Sequence, residues 1–425
     1  MKNIVLVAAS CAALAAETHT LSLRQTAELA LKQSPEALLS RIDERKAALD
    51  TQVARDPFIP KVYAGSGLAY STGFPMSIEG SAPSILQARG VASLYNKPQR
   101  LRIEQAKEAQ RGAGLEGQVS REAAAYRAME LFLDLEHRHK LASLARRQVE
   151  SARKVEEVTK VRVEEGRELP VEAKRAALEL AKAEHRVAQL ESVLDQTGVM
   201  LASALGFAPG DRVMPTEEER AVSETPESED AAASQALANN VELRRLESAL
   251  AAKGIAVQAE RAARYPQIDL VAQYALLGKF NHYEDFFRKF QRHNGQFGMS
   301  IQVPLFLGST VEARAAQAES EVARLRIETS RTRSRIQAET ISRFHDLRNA
   351  EGGRKVARLD LDVARDQLSV ELAKLDEGRS SLRQVEQLRM VEQEKWIAYW
   401  DAQHSVETAR LALLERTGGL LASLR

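Results

Sequence analysis

The sequence predicts a mainly α-helical chain with a small β part, written as two tandem copies of one long-hairpin unit. Three observations predict it: long proline-free helical stretches, four short segments of two-residue alternation, and landmarks that recur at a nearly constant offset. Composition agrees. Of 425 residues 44 % are apolar, only 5 % are aromatic and 28 % are charged, while Gly (22) and Pro (12) are scarce. That is the profile of long helices with Ala, Leu and Val in their seams. The length exceeds what one hydrophobic core normally serves, so two domains or an elongated body are expected. The 60 Lys and Arg balance 59 Asp and Glu, which gives no bulk attraction to nucleic acid. One cysteine excludes a disulfide framework, a four-cysteine zinc site and a CxxC redox pair. No stretch approaches the ~20 apolar residues of a membrane-spanning helix.

Residues 1–16 read as a secretory signal. Lys2 precedes an apolar run from Ile4 to Leu14, and Ala13-Leu14-Ala15 supplies a small-x-small end. Ala9-Ser10-Cys11 also resembles a lipoprotein cleavage box, with Ala8 where a Leu is usual, so lipidation of Cys11 is a second expectation.

The repeat spans residues 17–207 and 235–425. Ser34-Pro35-Glu36-Ala37-Leu38 opens a helix that ends at Phe58-Ile59-Pro60, and Asn240-Val241-Glu242-Leu243-Arg244 opens one that ends at Arg264-Tyr265-Pro266, both at offset 206. Leu94-Tyr95 matches Leu305-Phe306 at offset 211. Val163-Glu164-Glu165-Gly166-Arg167 matches Leu375-Asp376-Glu377-Gly378-Arg379 at offset 212. Ordered landmarks whose offset drifts this slowly mark a duplication. The joint, residues 208–234, holds Pro209, Gly210, Pro215 and Pro226 with eight acids against two arginines, and reads as an acidic, solvated linker.

Each copy orders as helix, strand, loop, strand, very long helix, turn, helix. No proline occurs from Ser309 to Glu377, and none after Pro98 until Pro170. At ~1.5 Å per residue each such stretch can reach about 100 Å. Leu368, Leu372 and Leu375, or Val187, Leu190 and Leu194, keep helical spacing while charges fill the other faces, as in coiled-coil packing. Gly166 and Gly378 mark tight turns, expected at 166–170 and 378–381. Pro98 and Ser309 suit helix starts.

Strands are expected at about 61–70, 87–95, 267–277 and 296–304. In the second copy Ile268, Leu270, Ala272, Tyr274 and Leu276 alternate with Gln267, Asp269 and Gln273, Val271 and Ala275 being exceptions, and Phe297, Met299, Ile301 and Val303 alternate with Gln296, Gly298, Ser300 and Gln302. Such lengths suit tilted transmembrane strands of ~9–11 residues. Of 21 aromatic residues, 14 fall in 58–95 and 265–306, with Phe280, Tyr283, Phe286, Phe287 and Phe290 in one loop. The pattern fits lipid-facing Ile268, Leu270, Tyr274, Leu276, Phe297, Met299, Ile301 and Val303 beside an aromatic girdle. Four strands cannot close a barrel, and lipid tolerates no open edge. At least ~8 strands are needed, and three chains would give twelve with a wet lumen, their long hairpins continuing the wall as a trimeric α-barrel.

At this point the chain resembles the outer-membrane efflux proteins, the TolC-like exit ducts of Gram-negative bacteria. The resemblance rests on the repeated helix-strand-strand-helix order, Tyr265-Pro266-Gln267-Ile268 entering a strand, Val303-Pro304-Leu305-Phe306-Leu307-Gly308 leaving one, and the Glu-Gly-Arg turns at Gly166 and Gly378. It implies a homotrimer with a twelve-stranded β-barrel in the outer membrane and a helical barrel in the periplasm. It also implies tip-to-tip docking onto a periplasmic adaptor that leads to an inner-membrane pump or secretion ATPase. Under it, Gly166, Arg167, Glu168, Leu169 and Gly378, Arg379, Ser380, Ser381, Leu382 are adaptor-contact tips. Family members often carry carboxylates six and nine residues after the second tip glycine. Gln384 and Gln387 stand there, beside Arg379, Arg383 and Glu386; these five are the candidate gate, and the departure from the family pattern puts an acidic, cation-sensitive gate in doubt.

No cofactor, metal or catalytic site is expected. HExxH, GxxxxGK[ST] and GxSxG are absent, and His137 and His139, two apart on a helix, point to different faces. Trp396, Tyr399 and Trp400 read as packing. A soluble or periplasmic coiled-coil scaffold or adaptor explains the helices, but not the signal or the alternating strands with their aromatic cluster.

Overall fold

The computed structural model describes residues 17–67, 84–216, 225–278, 288, 291–380 and 382–420. The expected signal 1–16 with Cys11, the ends of the first two strands, the aromatic loop from Phe280 to Phe290, and Ser381 lie outside the described residues.

The first copy runs β1 (Thr18–Leu21), α1 (Leu23–Gln33), α2 (Pro35–Arg55), β2 (Lys61–Gly67), β3 (Ser84–Asn96), α3 (Lys97–Glu164) and α4 (Pro170–Ala204). The second runs β4 (Arg212–Pro215), α5 (Glu229–Asn239), α6 (Val241–Arg261), β5 (Gln267–Leu277), β6 (His293–Gln302), α7 (Thr310–Asp376) and α8 (Leu382–Thr417). A 3-10 turn ends α2 at Asp56–Phe58 and α6 at Ala262–Arg264, again at offset 206. Of the acidic stretch 208–234, Arg212–Pro215 forms β4 and Glu229 opens α5. Val213 there is fully buried.

Local chemistry sets the boundaries. Ser22 caps α1 with a full box: Gln25 N donates to Ser22 Oγ at 3.3 Å and Ser22 N to Gln25 Oε1 at 3.0 Å. Ser228 holds Ala231 N at 3.2 Å at the start of α5. Ser34 separates α1 from α2, accepting from Ala37 N at 3.1 Å ahead of Pro35. Asn96 Oδ1 receives Gln99 N at 3.0 Å where β3 becomes α3.

The chain divides into two compact units. One holds the N-terminal stretch to Ser40, Gln118–Asn240 and Arg333 onward. Its core contains fully buried Phe132, Leu135, Leu201, Leu205 and Val213 among alanines that let helices approach closely. A smaller cluster holds Phe344, Leu347, Val406 and Leu413. Phe132 and Phe344, Leu135 and Leu347, and Leu201 and Leu413 stand 212 residues apart, so the two copies bury the same positions. Each such side chain is worth roughly 1.5–3 kcal/mol of transfer free energy. Thr18–Leu21 and Arg212–Pro215 pair in parallel, and Asp211 accepts from Glu17 N at 3.0 Å and faces His19 Nε2 at 3.3 Å. These contacts, the Glu17 amide first, hold its carboxyl below the usual range. Cross-helix ion pairs fix hairpin register: Arg146–Glu191 (2.7 Å) and Arg153–Glu184 (3.2 Å) between α3 and α4, Lys395–Asp360 (2.6 Å) and Arg416–Glu339 (3.2 Å) between α8 and α7. Exposed pairs add only about 0–1 kcal/mol each, so burial carries the stability.

The other unit is Arg41–Gly117 and Val241–Thr332. It carries a four-stranded antiparallel sheet in the order β2-β3-β5-β6. The copies therefore join through β3 and β5, and β2 and β6 are left as its edges. Arg245–Glu116 (2.9 Å) and Arg264–Glu312 (2.9 Å) tie its helices. Among the described residues no helix is long and apolar enough to cross a membrane.

Gly206 and Gly418 are a further repeated pair, with φ of 79° and 74°. A Cβ at Gly206 would sit 2.7 Å from the Gln33 carbonyl oxygen, and one at Gly418 2.8 Å from Asn239 Cβ. Gly166 has φ 73° but nothing within 4 Å. Gly166→Ala should cost only its backbone strain, about 1–2 kcal/mol. Gly206→Ala should add overpacking of about 1–3 kcal/mol. Denaturant unfolding of the solubilised protein measures both, and equal losses would contradict the close approach at Gly206.

Candidate functional site

Two features stand out: the helix-turn tips and the two faces of the four-stranded sheet. At the first tip, Gly166 N donates to Val163 O (3.0 Å) and Arg167 N to Arg162 O (2.8 Å). At the second, Gly378 N donates to Leu375 O (2.9 Å) and Arg379 N to Lys374 O (2.8 Å). Both are Schellman motifs, with the glycine in the left-handed region at φ 73° and 71°. The tips are otherwise different. Arg167 pairs with Glu165 (3.1 Å), Arg162 reaches Glu168 (3.4 Å), and Leu169 is 68 % exposed before Pro170. Arg379 pairs with Glu377 (3.1 Å), and Ser380 Oγ bonds to Glu371 Oε1. That bond and Lys374 hold the Glu371 carboxyl below its usual range.

Four of the five gate candidates, Arg379, Gln384, Glu386 and Gln387, have described side chains. Arg379 stays on its own turn, Gln384 meets Ser380 Oγ at 3.2 Å, and Gln387 is exposed. Glu386 pairs with Arg389 at 3.0 Å, and Arg389 also donates to Ser151 at 3.3 Å, linking α8 to α3. The Arg383 and Leu382 side chains are outside what the structure describes. Glu386 and Gln387 line a cleft of about 620 Å³ whose other wall carries Thr159, Arg162, Glu168 and Glu172. Two of the gate candidates and the first tip thus share one cleft.

In the sheet, residues directly opposite in an antiparallel pair share a face. Register aligns Leu86, Leu276 and His293, then Ala64, Ala88 and Tyr274, then Val62, Gly90, Ala272 and Phe297, then Ala92, Leu270 and Met299, and finally Tyr95, Ile268 and Ile301. Apart from His293 at its end, whose Nδ1 meets the Tyr274 hydroxyl at 2.7 Å, that face is apolar. The opposite face aligns Gln87 with Ala275, then Tyr63, Arg89, Gln273 and Gln296, then Lys61, Val91 and Val271, then Ser93, Asp269 and Ser300, then Asn96, Gln267 and Gln302. Phe297 (79 %), Met299 (66 %) and Ile301 (62 %) have no cover in the single chain, and Leu305 and Phe306, just past β6, are more than 90 % exposed. Val303 follows the last paired residue and is exposed as well.

One cluster was not foreseen. His137 stacks on His404 (centroids 4.6 Å apart) and its Nε2 lies 3.0 Å from Asp401. His139 and His404 each bury an Nδ1 without a partner in the described structure. The two histidines of the stack are 267 positions apart in sequence, so no local spacing announces them. Trp396 and Trp400 stack at 5.9 Å with Tyr399 against them, as packing. Among the described residues no group of three or more His, Cys, Asp or Glu could hold a metal ion.

A duplicated helical-hairpin chain with a four-stranded, two-faced sheet is a fold shared with solved outer membrane proteins. Residues 232–419, just under half of the chain, match the family model of outer membrane efflux proteins. Three solved structures extend the likeness over both copies. The CmeC outer membrane channel of Campylobacter jejuni matches with TM-score 0.74 at 13 % identity, over 94 % of this chain and 86 % of that one. VceC of Vibrio cholerae matches with TM-score 0.72 at 16 % identity, over 93 % and 96 %. The open state of the Neisseria gonorrhoeae MtrE channel matches with TM-score 0.65 at 14 % identity, over 95 % and 88 %. No curated protein matches the sequence. The resemblance to the outer membrane efflux proteins is thus shown: by the family model for the second copy, and as a fold for the whole chain.

Burial, then His404, lowers the His137 pKa below the usual 6.5, and Asp401 only partly offsets them. A base that folding depresses costs no stability while both states are neutral. It costs increasingly as pH falls from about 6.5 toward the lowered value, because the unfolded chain takes the proton first. The midpoint of thermal unfolding should therefore drop further for the natural protein than for His137→Asn between about pH 7.5 and 5.5. Identical shifts would remove the histidine stack from the pH response.

Proposed function

We propose that the chain is one third of a trimeric outer-membrane channel, the exit duct of a tripartite efflux pump or a type I secretion system. The carrying observation is the four-stranded sheet with two unpaired edges and one apolar face. In lipid such edges must be closed by strands of further chains. Three copies give twelve strands with the apolar face, Ile268, Leu270, Tyr274, Leu276, Phe297, Met299 and Ile301 with Val303, turned to lipid, and the polar face to a wet lumen. The long hairpins continue into the periplasm. A conduit of this kind is passive, needs no cofactor, and has no catalytic step.

The same reading assigns the tips, Gly166 to Leu169 and Gly378 to Leu382, to contact with a periplasmic adaptor, and through it an inner-membrane pump or secretion ATPase. Its support is their matched Schellman geometry, the exposure of Leu169, and the adjoining cleft. Arg379, Arg383, Gln384, Glu386 and Gln387 are assigned to the gate that docking opens.

The detergent-corrected mass of the mature protein, extracted from outer-membrane fractions, should equal three chains. A monomer that stays soluble without detergent would overturn the duct. Leu169→Asp with Leu382→Asp should abolish crosslinking to the adaptor, whereas Arg383→Ala should leave crosslinking intact and change single-channel conductance. Undiminished crosslinking in the first variant removes the tip assignment, and unchanged conductance in the second removes the gate.

A further inference from the structure

The polar face of the sheet is almost uncharged, which makes its few charges conspicuous. Among its paired, described residues it carries Lys61, Arg89 and Asp269, with rungs of Gln, Ser, Asn and Tyr and one Val91–Val271 pair between the levels of Arg89 and Asp269. The Lys61 ammonium is held by the Asp56 carboxylate. Arg89 shares its rung with Tyr63, Gln273 and Gln296, and Asp269 shares its rung with Ser93 and Ser300. Neither has an ion-pair partner among the described residues. Asp269 lies at the end of β5 that leaves α6, and Arg89 lies four rungs nearer the loop joining β5 to β6.

We propose that Arg89 and Asp269 set the charge preference of the β-lumen, as two rings of opposite sign. This rests on the trimeric barrel proposed above, which repeats each residue three times at one level. Four residues of strand span about 13 Å, which is about 10 Å along the axis once strands tilt by ~40°. That is about one screening length at 0.1–0.15 M salt, so each ring dominates the potential at its own level. Each lies in a water-filled passage with low-dielectric walls, where like charges at one level concentrate counter-ions. The guanidinium ring favours solutes bearing carboxylate, phosphate or sulfonate groups. The carboxylate ring, nearer the helices, favours cations. A solute leaving through the duct meets the acidic ring first and the basic ring last.

Local potential can be read by thiol modification from outside the cell, whatever the state of the tips. Cys11 is the one cysteine of the chain, so the natural protein supplies the background. Gln273→Cys reports on the Arg89 rung and Ser300→Cys on the Asp269 rung, each treated in the intact assembly with an anionic sulfonate and a cationic trimethylammonium methanethiosulfonate. Rates are normalised to a free thiol in solution. The anionic reagent should be favoured roughly tenfold at Gln273→Cys, and the cationic one at Ser300→Cys. Adding Arg89→Gln should erase the first preference and Asp269→Asn the second, while Arg89→Lys should retain the first. Ratios near one at both positions, or ratios that ignore these substitutions, would overturn the two rings and leave the barrel standing. If neither cysteine reacts with either reagent, the polar face is not wet, and the barrel falls together with the rings.

Discussion

The outer backbone edges of β2 and β6, unpaired among the described residues, are the constraint on which the rest depends. Each strand offers a row of N–H and C=O groups along its outer side. In water those groups are solvated, whereas in hydrocarbon each costs several kilocalories per mole. Under the proposed duct, a sheet that turns Phe297, Met299 and Ile301 to lipid has no water to call on there, and closure by further copies would satisfy both demands with one arrangement.

Duplication is the second organising fact, and it reaches the core. Phe132, Leu135 and Leu201 have fully or nearly buried counterparts in Phe344, Leu347 and Leu413. The contact of Gly206 with Gln33 is repeated between Gly418 and Asn239. The copies are not left side by side as beads, because β3 of one pairs along its length with β5 of the other. Outside the core they diverge: Glu371 and Ser380 bond at the second tip, while the first relies on arginine–glutamate pairs.

Much of this was legible in the sequence because it is periodic. Two-residue alternation exposed β5 and β6, proline-free runs exposed α3 and α7, and Gly166 and Gly378 announced turns that only a residue free to take positive φ completes. What escaped is held by distant partners. β1 and β4 are four residues each, and β4 sits among acids and prolines that resemble a solvated linker. Its place depends on Val213 entering a core built from α3 and α4, and on pairing with a segment almost 200 residues earlier. The His137–His404 stack escaped for the same reason. Position after Gly378 marks the gate candidates in the sequence, while a pair such as Glu386 with Arg389, one helical turn apart, shows only in the structure. Sequence spacing identifies which residues are near a tip and cannot say which neighbour each will choose.

The shape of each tip is held by one glycine and two backbone hydrogen bonds, with open space around the glycine. The glycine and the backbone bonds set the turn, and the surface pairs of Arg167 with Glu165 and Arg379 with Glu377 add only about 0–1 kcal/mol each. Under the proposed contact of the tips with an adaptor, a tip transplanted between two such chains should carry its partner preference with it.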